Sequence, residues 1–235
     1  MKKLVYIIAV GMYFIAGGDF IRSSVAGRQN MLISDGGEEP LPEGIVAVEY
    51  IESTGTQWID VEIAIKAGWG TILDAAYTGY TSGYCRLFGT QKAGAAGGKS
   101  CTIRTSGYNN GDIRMEIYPN NGSIPFDTER HLFFINYPLK RYGIDELMSF
   151  SDTQWPMAVE TSSFLFGNNG ASGYAAARFF RLTCIDLSNG HLMRDLIPVR
   201  FENTEGNNEG GVYDLVLGEL YVNNGSGIFV IGPDK

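Results

Sequence analysis

The chain has 235 residues, and its 18 Lys and Arg residues against 26 Asp and Glu residues give a formal net charge of −8. This length suits a single β-sandwich domain. The chain is acidic and has no long run of basic residues, whereas proteins that bind nucleic acid need a basic surface to contact the phosphates, so a nucleic-acid partner is not expected. The 31 glycines and 12% aromatic residues are typical of a protein with many tight turns between strands.

The amino terminus, residues 1–26, is predicted to be a secretory signal peptide. Two lysines precede an apolar run, residues 4–16, and a Ser-x-Ala cleavage pattern ends at Ala26. The run is shorter than a comfortable bilayer span. A retained membrane anchor is the alternative, and Asp19 and Arg22 argue against it because they interrupt the apolar region. We therefore expect a mature chain without a membrane span that is secreted, periplasmic or displayed at the cell surface.

Residues 27–42 are predicted to be a linker or an extended segment that leads into the domain, because they contain Gly-Gly, Glu-Glu and two prolines and show no periodicity. Residues 43–235 form one predicted domain, in which side chains alternate with the period of two that a β-strand gives. The alternation is clear in residues 58–65, 112–117 and 131–137, and the last is apolar on both faces, which indicates a more central strand. In the first stretch, these side chains are predicted to face the core: Ile59, Val61, Ile63 and Ile65.

The tripeptide Asn-Asn-Gly predicts chain reversals, because Asn and Gly tolerate positive φ. It occurs four times, at residues 109–111, 120–122, 168–170 and 223–225. Only residues 140–150 hint at a helical turn, and a glycine within them weakens that signal. Short strands with frequent turn signals predict an all-β fold, a two-sheet antiparallel β-sandwich or jelly roll.

Two segments resemble a known family of domains. Residues 41–63, LPEGIVAVEYIESTGTQWIDVEI, are similar to the opening segment of exported bacterial and phage-associated domains with the concanavalin A-like lectin/glucanase, or laminin-G-like, fold. Residues 177–233 resemble the closing pattern of that family, which is carried here by Arg194, Asp195, Leu196, Ile197, Pro198, Tyr213, Asp214, Leu215, Asn223, Gly225, Gly227 and Phe229. The resemblance implies a concanavalin A-like jelly roll and a sugar-binding or matrix-binding role, although a fold does not by itself establish a function.

The acids of residues 58–62 raise the alternative of a glycoside hydrolase. Retaining β-glucanases with this fold carry Glu-x-Asp-x-Glu on one strand, because a nucleophile and an acid/base must face one cleft about 5–5.5 Å apart. Here the pattern is Trp58-x-Asp60-x-Glu62, so an aromatic residue replaces one of the three acids. We interpret the stretch as a sheet edge and predict no catalytic residue.

Metal and thiol chemistry have few candidates in this sequence. The sequence has only two histidines and no C-x-x-C motif, so it contains few residues that could form a zinc site. Calcium is a candidate cofactor, because laminin-G-like domains often bind it through Asp and Asn oxygens; the available side chains are Asp112, Asp127, Asn168 and Asn169. The three cysteines, Cys85, Cys101 and Cys184, are predicted to be reduced and mostly buried, with one bridge plus a free thiol as the alternative.

The predicted ligand-binding residues lie in stretches rich in Gly, Ser, Thr and Asn. Sugar recognition needs flat apolar faces that stack on the ring, together with fixed polar partners for the hydroxyl groups. The candidates are Trp69, Tyr80, Tyr84, Tyr108, Asn109 and Asn110. The alternative is that these aromatic rings line the core. The sequence thus favours an exported, non-catalytic glycan-binding or adhesion module with carbohydrate as its partner; a β-glucanase and a structural domain that contacts surface proteins are the alternatives.

Overall fold

Two β-sheets face each other across one hydrophobic core in the described part of the chain. The computed structural model describes residues 40–66, 68–80, 83–91, 100–105, 111–117, 120–145, 147–150, 162–167 and 173–235. The chain divides into Met1–Pro42 and Glu43–Lys235, and every described strand lies in the second unit. The strands are β1 (Ile45–Ala47), β2 (Ile51–Thr54), β3 (Ile59–Asp60), β4 (Trp69–Tyr77), β5 (Arg86–Gln91), β6 (Ser100–Thr105), β7 (Ile113–Ile117), β8 (Asn120–Ile124), β9 (Arg130–Asn136), β10 (Arg141–Ile144), β11 (Leu147–Phe150), β12 (Phe164–Leu165), β13 (Ala176–Asp186), β14 (His191–Glu202), β15 (Asn208–Asp214), β16 (Glu219–Tyr221) and β17 (Val230–Ile231).

The larger sheet has 11 strands and the smaller sheet has 6. The larger sheet runs β11-β10-β9-β4-β13-β14-β15-β16, while β1 pairs with β14, and β2 pairs with β13 and β17. The smaller sheet runs β3-β12-β5-β6-β7-β8. Paired strands are antiparallel throughout. The predicted all-β, two-sheet antiparallel sandwich is therefore confirmed, and the part of the chain that the structure describes contains no helix long and apolar enough to cross a membrane.

The alternation predicted for residues 58–65 is confirmed in burial but only partly in backbone structure. Ile59, Val61, Ile63 and Ile65 are all buried in the core. The regular strand is nevertheless limited to β3, because Glu62 has a φ of 53°, which interrupts the extended conformation. Two hydrogen bonds to Ser163 still hold the stretch beside β12: the N–H of Val61 donates to the Ser163 carbonyl at 3.1 Å, and the Ser163 N–H donates to the Ile63 carbonyl at 2.9 Å.

Other strand predictions are confirmed, and two local ones are wrong. β9 lies between β4 and β10 with both faces largely buried, as its two-sided apolar pattern indicates. The described residues of 140–145 and 147–150 form no helical turn; β10 and β11 pair there, and Tyr142 and Ile144 alternate into the core. Asn120–Gly122 do not form the predicted reversal, because β8 pairs with β7 from Asn120 onward. The copy at residues 223–225 does lie in a loop, between β16 and β17.

The three cysteines are buried and form no disulfide bond, which confirms the prediction of reduced thiols. Cys184 lies 3.7 Å from the hydroxyl of Thr71. Burial raises the pKa of both Cys101 and Cys184 to about 12, so these groups remain protonated thiols at neutral pH.

A buried ion pair within the larger sheet also contacts the segment that follows β3. Arg194 in β14 donates from Nε to Asp214 Oδ2 of β15, and its Nη2 donates to the Val61 carbonyl at 2.8 Å and the Tyr221 hydroxyl at 2.7 Å. The other oxygen of Asp214 accepts two backbone N–H groups at 3.1 and 2.9 Å. Because Val61 directly follows β3, this guanidinium connects the larger sheet to the edge of the smaller one.

Candidate functional site

The outer face of the smaller sheet carries most of the candidate site. In β6 and β7, alternate side chains are buried in the core, namely Cys101, Ile103, Ile113 and Met115. Because successive side chains of a strand point to opposite faces, Arg104 of β6 and Arg114 of β7 point outward. Both are partly exposed.

Three arginines stand side by side across this outer face. The register pairs Arg86 of β5 with Arg104, and Arg104 with Arg114. Residues directly opposite one another in an antiparallel pair lie on the same face, and neighbouring strands are about 4.8 Å apart, so the row spans about 10 Å. We call Arg86, Arg104 and Arg114 the arginine strip. Like charges placed directly opposite one another destabilise a sheet.

The members of the strip have different surroundings. The Arg104 guanidinium lies over the Tyr84 ring at 4.4 Å, and its Nη1 donates to the Thr105 carbonyl at 3.4 Å. Arg86 and Arg104 also make further interactions within the protein. Nε of Arg114 is buried without a hydrogen-bond partner in the described part of the chain.

Two aromatic residues continue the row beyond Arg86. Tyr174 forms an isolated bridge with Arg86, and Trp58 lies on the far side of Gly167. A Cβ at Gly167 would lie 2.9 Å from the Trp58 Cβ and 3.0 Å from a Tyr174 ring carbon, so the glycine lets both residues approach closely. Trp58 also makes an edge-on contact with Phe164, with ring centroids 5.6 Å apart. The outer face therefore combines aromatic rings with the arginine strip.

The structure brings Tyr80 and Tyr84, two predicted binding residues, to the same end of the sandwich. Each is 42% exposed. The Tyr80 ring packs against Phe126 with centroids 5.6 Å apart and lies so close to Gly111 that a Cβ there would be 2.3 Å from the ring. Tyr84 lies beside the strip, and the adjacent Cys85 N–H donates to the hydroxyl of Thr105 at 3.0 Å, which fixes this segment against the end of β6.

The other predicted binding residues are placed differently or lie outside the described residues. Trp69 is only 9% exposed and belongs to the core cluster. It begins β4, whose other end leads towards Tyr80, and at about 3.3 Å per residue these two ends are roughly 26 Å apart. Tyr108, Asn109 and Asn110 lie outside the described residues, so their part in binding remains a prediction. The arginine strip was missed because it appears only when the strand register is known.

Of the two acids considered for hydrolysis, Asp60 makes hydrogen bonds within the protein. Asp60 Oδ1 accepts hydrogen bonds from the Glu62 N–H at 2.9 Å and from the Ser162 hydroxyl. The Asp60 N–H donates to the side chain of Asn224 at 3.0 Å. Glu62 itself is exposed. This use of the Asp60 carboxylate favours a role in holding the turn rather than in catalysis.

A second group of titratable side chains surrounds His131, at the start of β9. Nδ1 of His131 lies 2.6 Å from Asp145 Oδ2, and Nε2 lies 2.8 Å from Asp127 Oδ1. The hydrogen bond to Asp145, together with the one to Asp127, raises the pKa of His131 above its ordinary value. Two carboxylates beside one imidazole favour its protonated form. The group is therefore better suited to a structural ion-pair network than to general base catalysis.

Metal ligation has little support in the described part of the chain. No group of three or more His, Cys, Asp and Glu side chains that could hold a metal occurs there. Of the calcium candidates, Asp127 is bonded to His131, and Asn168 and Asn169 lie outside the described residues. Asp112 precedes β7 and is partly buried. Calcium binding therefore remains a prediction.

A small cavity between the sheets does not provide a ligand pocket. Its volume is about 30 Å³, and residues lining it include Met115, Ile124 and Tyr142. A space of this size holds about one water molecule. A sugar ligand does not fit at this position.

Comparison with known proteins identifies no family. No family model matches the chain, and no curated protein matches it. Among solved structures, the chain is similar to one titled "NanB plus Optactamide", with 14% identity and a TM-score of 0.39. The match covers 77% of this chain and 38% of that chain. A likeness this weak supports no functional argument, so the concanavalin A-like resemblance stays a prediction.

Proposed function

We propose that the chain is an exported, non-catalytic glycan-binding module whose ligand contacts the end of the smaller sheet at Tyr80 and Tyr84. The observation that carries the proposal is that these two rings, each 42% exposed, lie at one end of the sandwich with Tyr84 beside a row of hydrogen-bond donors. Aromatic rings stack on the apolar face of a sugar, and guanidinium groups donate to its oxygens.

The rigidity of this surface supports the proposal. Tyr84 is held by the Arg104 guanidinium and by two hydrogen bonds between the adjacent Cys85 and Thr105, one of them from the Thr105 N–H to the Cys85 carbonyl at 2.9 Å. Binding groups that are already held in place lose little conformational entropy when a ligand arrives. Because the surface is shallow and offers few contacts to a ligand, we expect weak binding, with a Kd on the order of 10 μM to 1 mM.

Replacing Tyr84 with Ala is expected to weaken glycan retention by about two- to thirteenfold, because the loss of one aromatic contact costs about 0.5–1.5 kcal/mol. Tyr80→Ala should have a similar effect. Retention on immobilised polysaccharides in affinity electrophoresis measures the change. Leu217, an exposed apolar residue between β15 and β16, provides the control, and Leu217→Ala should leave retention unchanged.

Thermal unfolding of the same variants distinguishes binding from folding. Both tyrosine variants should lose no more than about 1 kcal/mol of stability, since their rings are partly exposed. A loss of several kcal/mol from Tyr80→Ala and Tyr84→Ala would assign these rings to the core and contradict the proposed site.

Export is the second part of the proposal. The chain recovered from the periplasm, medium or cell surface is expected to begin near Gly27, because the Ser-x-Ala pattern precedes it. Mass spectrometry of the intact protein measures this terminus. Membrane-associated protein that retains Met1 would contradict cleavage and favour an anchor.

A further inference from the structure

We infer that Phe126 and Gly111 are positioning residues of the proposed binding surface, which fix the ring of Tyr80 and link it to the segment that carries Tyr84. The inference rests on the glycan-binding function proposed above and names residues that serve it through the two tyrosines. Phe126 lies between β8 and β9, and Gly111 lies just before β7.

The ring of Tyr80 contacts two chain segments, although the residue is 42% exposed. Phe126 packs against it with ring centroids 5.6 Å apart and planes inclined by 60°. On another side, the ring lies directly on the backbone of Gly111. Exposed side chains ordinarily change rotamer on a fast timescale. Two such contacts restrict those rotamers, and a ring that is already ordered loses less entropy when a ligand binds.

Gly111 is required at its position for two separate reasons. Its φ is 82°, in the left-handed region that favours glycine. In addition, a Cβ built there would lie 2.3 Å from Cε2 and 2.6 Å from Cδ2 of the Tyr80 ring. The obstructing atoms belong to a side chain and not to the backbone. An alanine at this position would therefore be accommodated by a movement of the Tyr80 ring.

Phe126 also connects Tyr80 to Tyr84 through the core. Its ring contacts that of Tyr77, with centroids 5.9 Å apart, and Tyr77 is 1% exposed at the end of β4. The Tyr77 hydroxyl donates to the carbonyl of Cys85, the residue after Tyr84, at 3.2 Å. A continuous chain of contacts therefore joins the two exposed tyrosines, and Phe126 lies in the middle of it.

The segment that carries Phe126 is itself held in place. The adjacent Asp127 accepts a hydrogen bond from the Glu129 N–H at 2.9 Å, and the same oxygen lies 2.8 Å from Nε2 of His131. Nδ1 of His131 lies 2.6 Å from Asp145. Polar contacts thus attach this segment to β9, while the Phe126 ring packs against the core cluster. A ring held from both sides can fix the position of its neighbour.

The first experiment compares Gly111→Ala with Gly44→Ala in the complete mature chain. Gly44 has nearly the same φ, 83°, but a Cβ there would meet no atom within 4 Å. Both substitutions therefore impose similar backbone strain, and only the one at Gly111 displaces Tyr80. Affinity electrophoresis on dextran, xylan and polygalacturonate measures retention, and thermal unfolding measures the stability of each variant.

We expect Gly111→Ala to weaken retention as strongly as the loss of the Tyr80 ring does, by about two- to thirteenfold. Gly44→Ala should change retention by less than about twofold. Equal losses of retention from the two glycine variants would overturn the inference, because they would assign the effect to backbone strain.

The second experiment compares Phe126→Leu with Met193→Ala. Met193 is also partly buried against the core cluster, but it lies in β14, which β13 separates from β4. Phe126→Leu should weaken retention, whereas Met193→Ala should lower stability and leave retention unchanged. Phe126→Tyr, which keeps the aromatic ring, should behave like the wild type.

A double substitution distinguishes positioning from a general loss of stability. In the Tyr80→Ala background, Phe126→Leu should weaken retention by a smaller factor than in the wild-type chain, because both substitutions act on the same ring. Strictly additive effects would overturn the inference, since they would mean that Phe126 acts independently of Tyr80.

The outcomes separate this inference from the proposed function. Retention that depends on Tyr80 but is unchanged by Gly111→Ala and Phe126→Leu would overturn the positioning role and keep the glycan-binding function. A folded wild-type chain that is retained by none of the polysaccharides would contradict both.

Discussion

Val61→Asp is expected to unfold the domain, or to remove at least about 4 kcal/mol of its stability, because it buries a carboxylate without a partner. Val61 is 0% exposed and belongs to the core cluster between the sheets. Arg194 contacts the carbonyl of Val61 and is already paired with Asp214, so it does not provide a free counter-charge. Chemical denaturation followed by fluorescence measures the loss.

The neighbouring residue provides the control for this substitution. Glu62 is exposed, so Glu62→Ala should change stability by less than about 0.5 kcal/mol. Val61→Thr should give an intermediate loss of about 1–3 kcal/mol, which keeps the test informative if the Asp variant does not fold. Equal losses from Val61→Asp and Glu62→Ala would show that the alternation of buried and exposed side chains is wrong.

Asp214→Asn is expected to cost about 3–5 kcal/mol, because it leaves the buried Arg194 guanidinium without its counter-charge. Asp214 is 0% exposed, and its second oxygen accepts two backbone N–H groups. Without the Asp214 charge, the hydrogen bond from Arg194 to the Val61 carbonyl should also weaken. The segment after β3 at the edge of the smaller sheet would then be held less firmly. Urea denaturation measures the free energy of unfolding.

Asp234→Asn is the matched control for the ion pair. Asp234 pairs with Arg200 at 2.9 Å, but the pair is exposed, so its loss should cost no more than about 1 kcal/mol. If Asp214→Asn cost as little as this control, the Arg194 network would contribute little to joining the sheets, contrary to the structure.

Much of the fold could be predicted because a half-buried strand alternates with a period of two. Val61 and its neighbouring isoleucines are buried even where Glu62 interrupts the strand, since burial follows side-chain direction more than strand assignment. The sequence shows Arg194 and Asp214 within a pattern that resembles a known family, but the buried ion pair that they form between β14 and β15 is visible only in the structure. Strand limits were less predictable, as at Asn120, because Asn and Gly also occur within strands.

The candidate site was only partly predictable. Tyr80 and Tyr84 lie among small and polar residues, and both fall in the segment between β4 and β5. Trp69 has a glycine on each side, yet it begins a strand that runs through the core. The arginine strip could not be found from spacing along the chain, because Arg86 and Arg104 meet through strand register and are separated by a long intervening segment.

Binding of the mature chain to a glycan array tests the central claim most directly. We predict saturable binding to at least one class of glycan, with a Kd on the order of 10 μM to 1 mM, and reduced binding by Tyr84→Ala at unchanged stability. A folded chain that binds no glycan at millimolar concentration, or whose binding is unaffected by both Tyr80→Ala and Tyr84→Ala, would contradict the proposed function and its site.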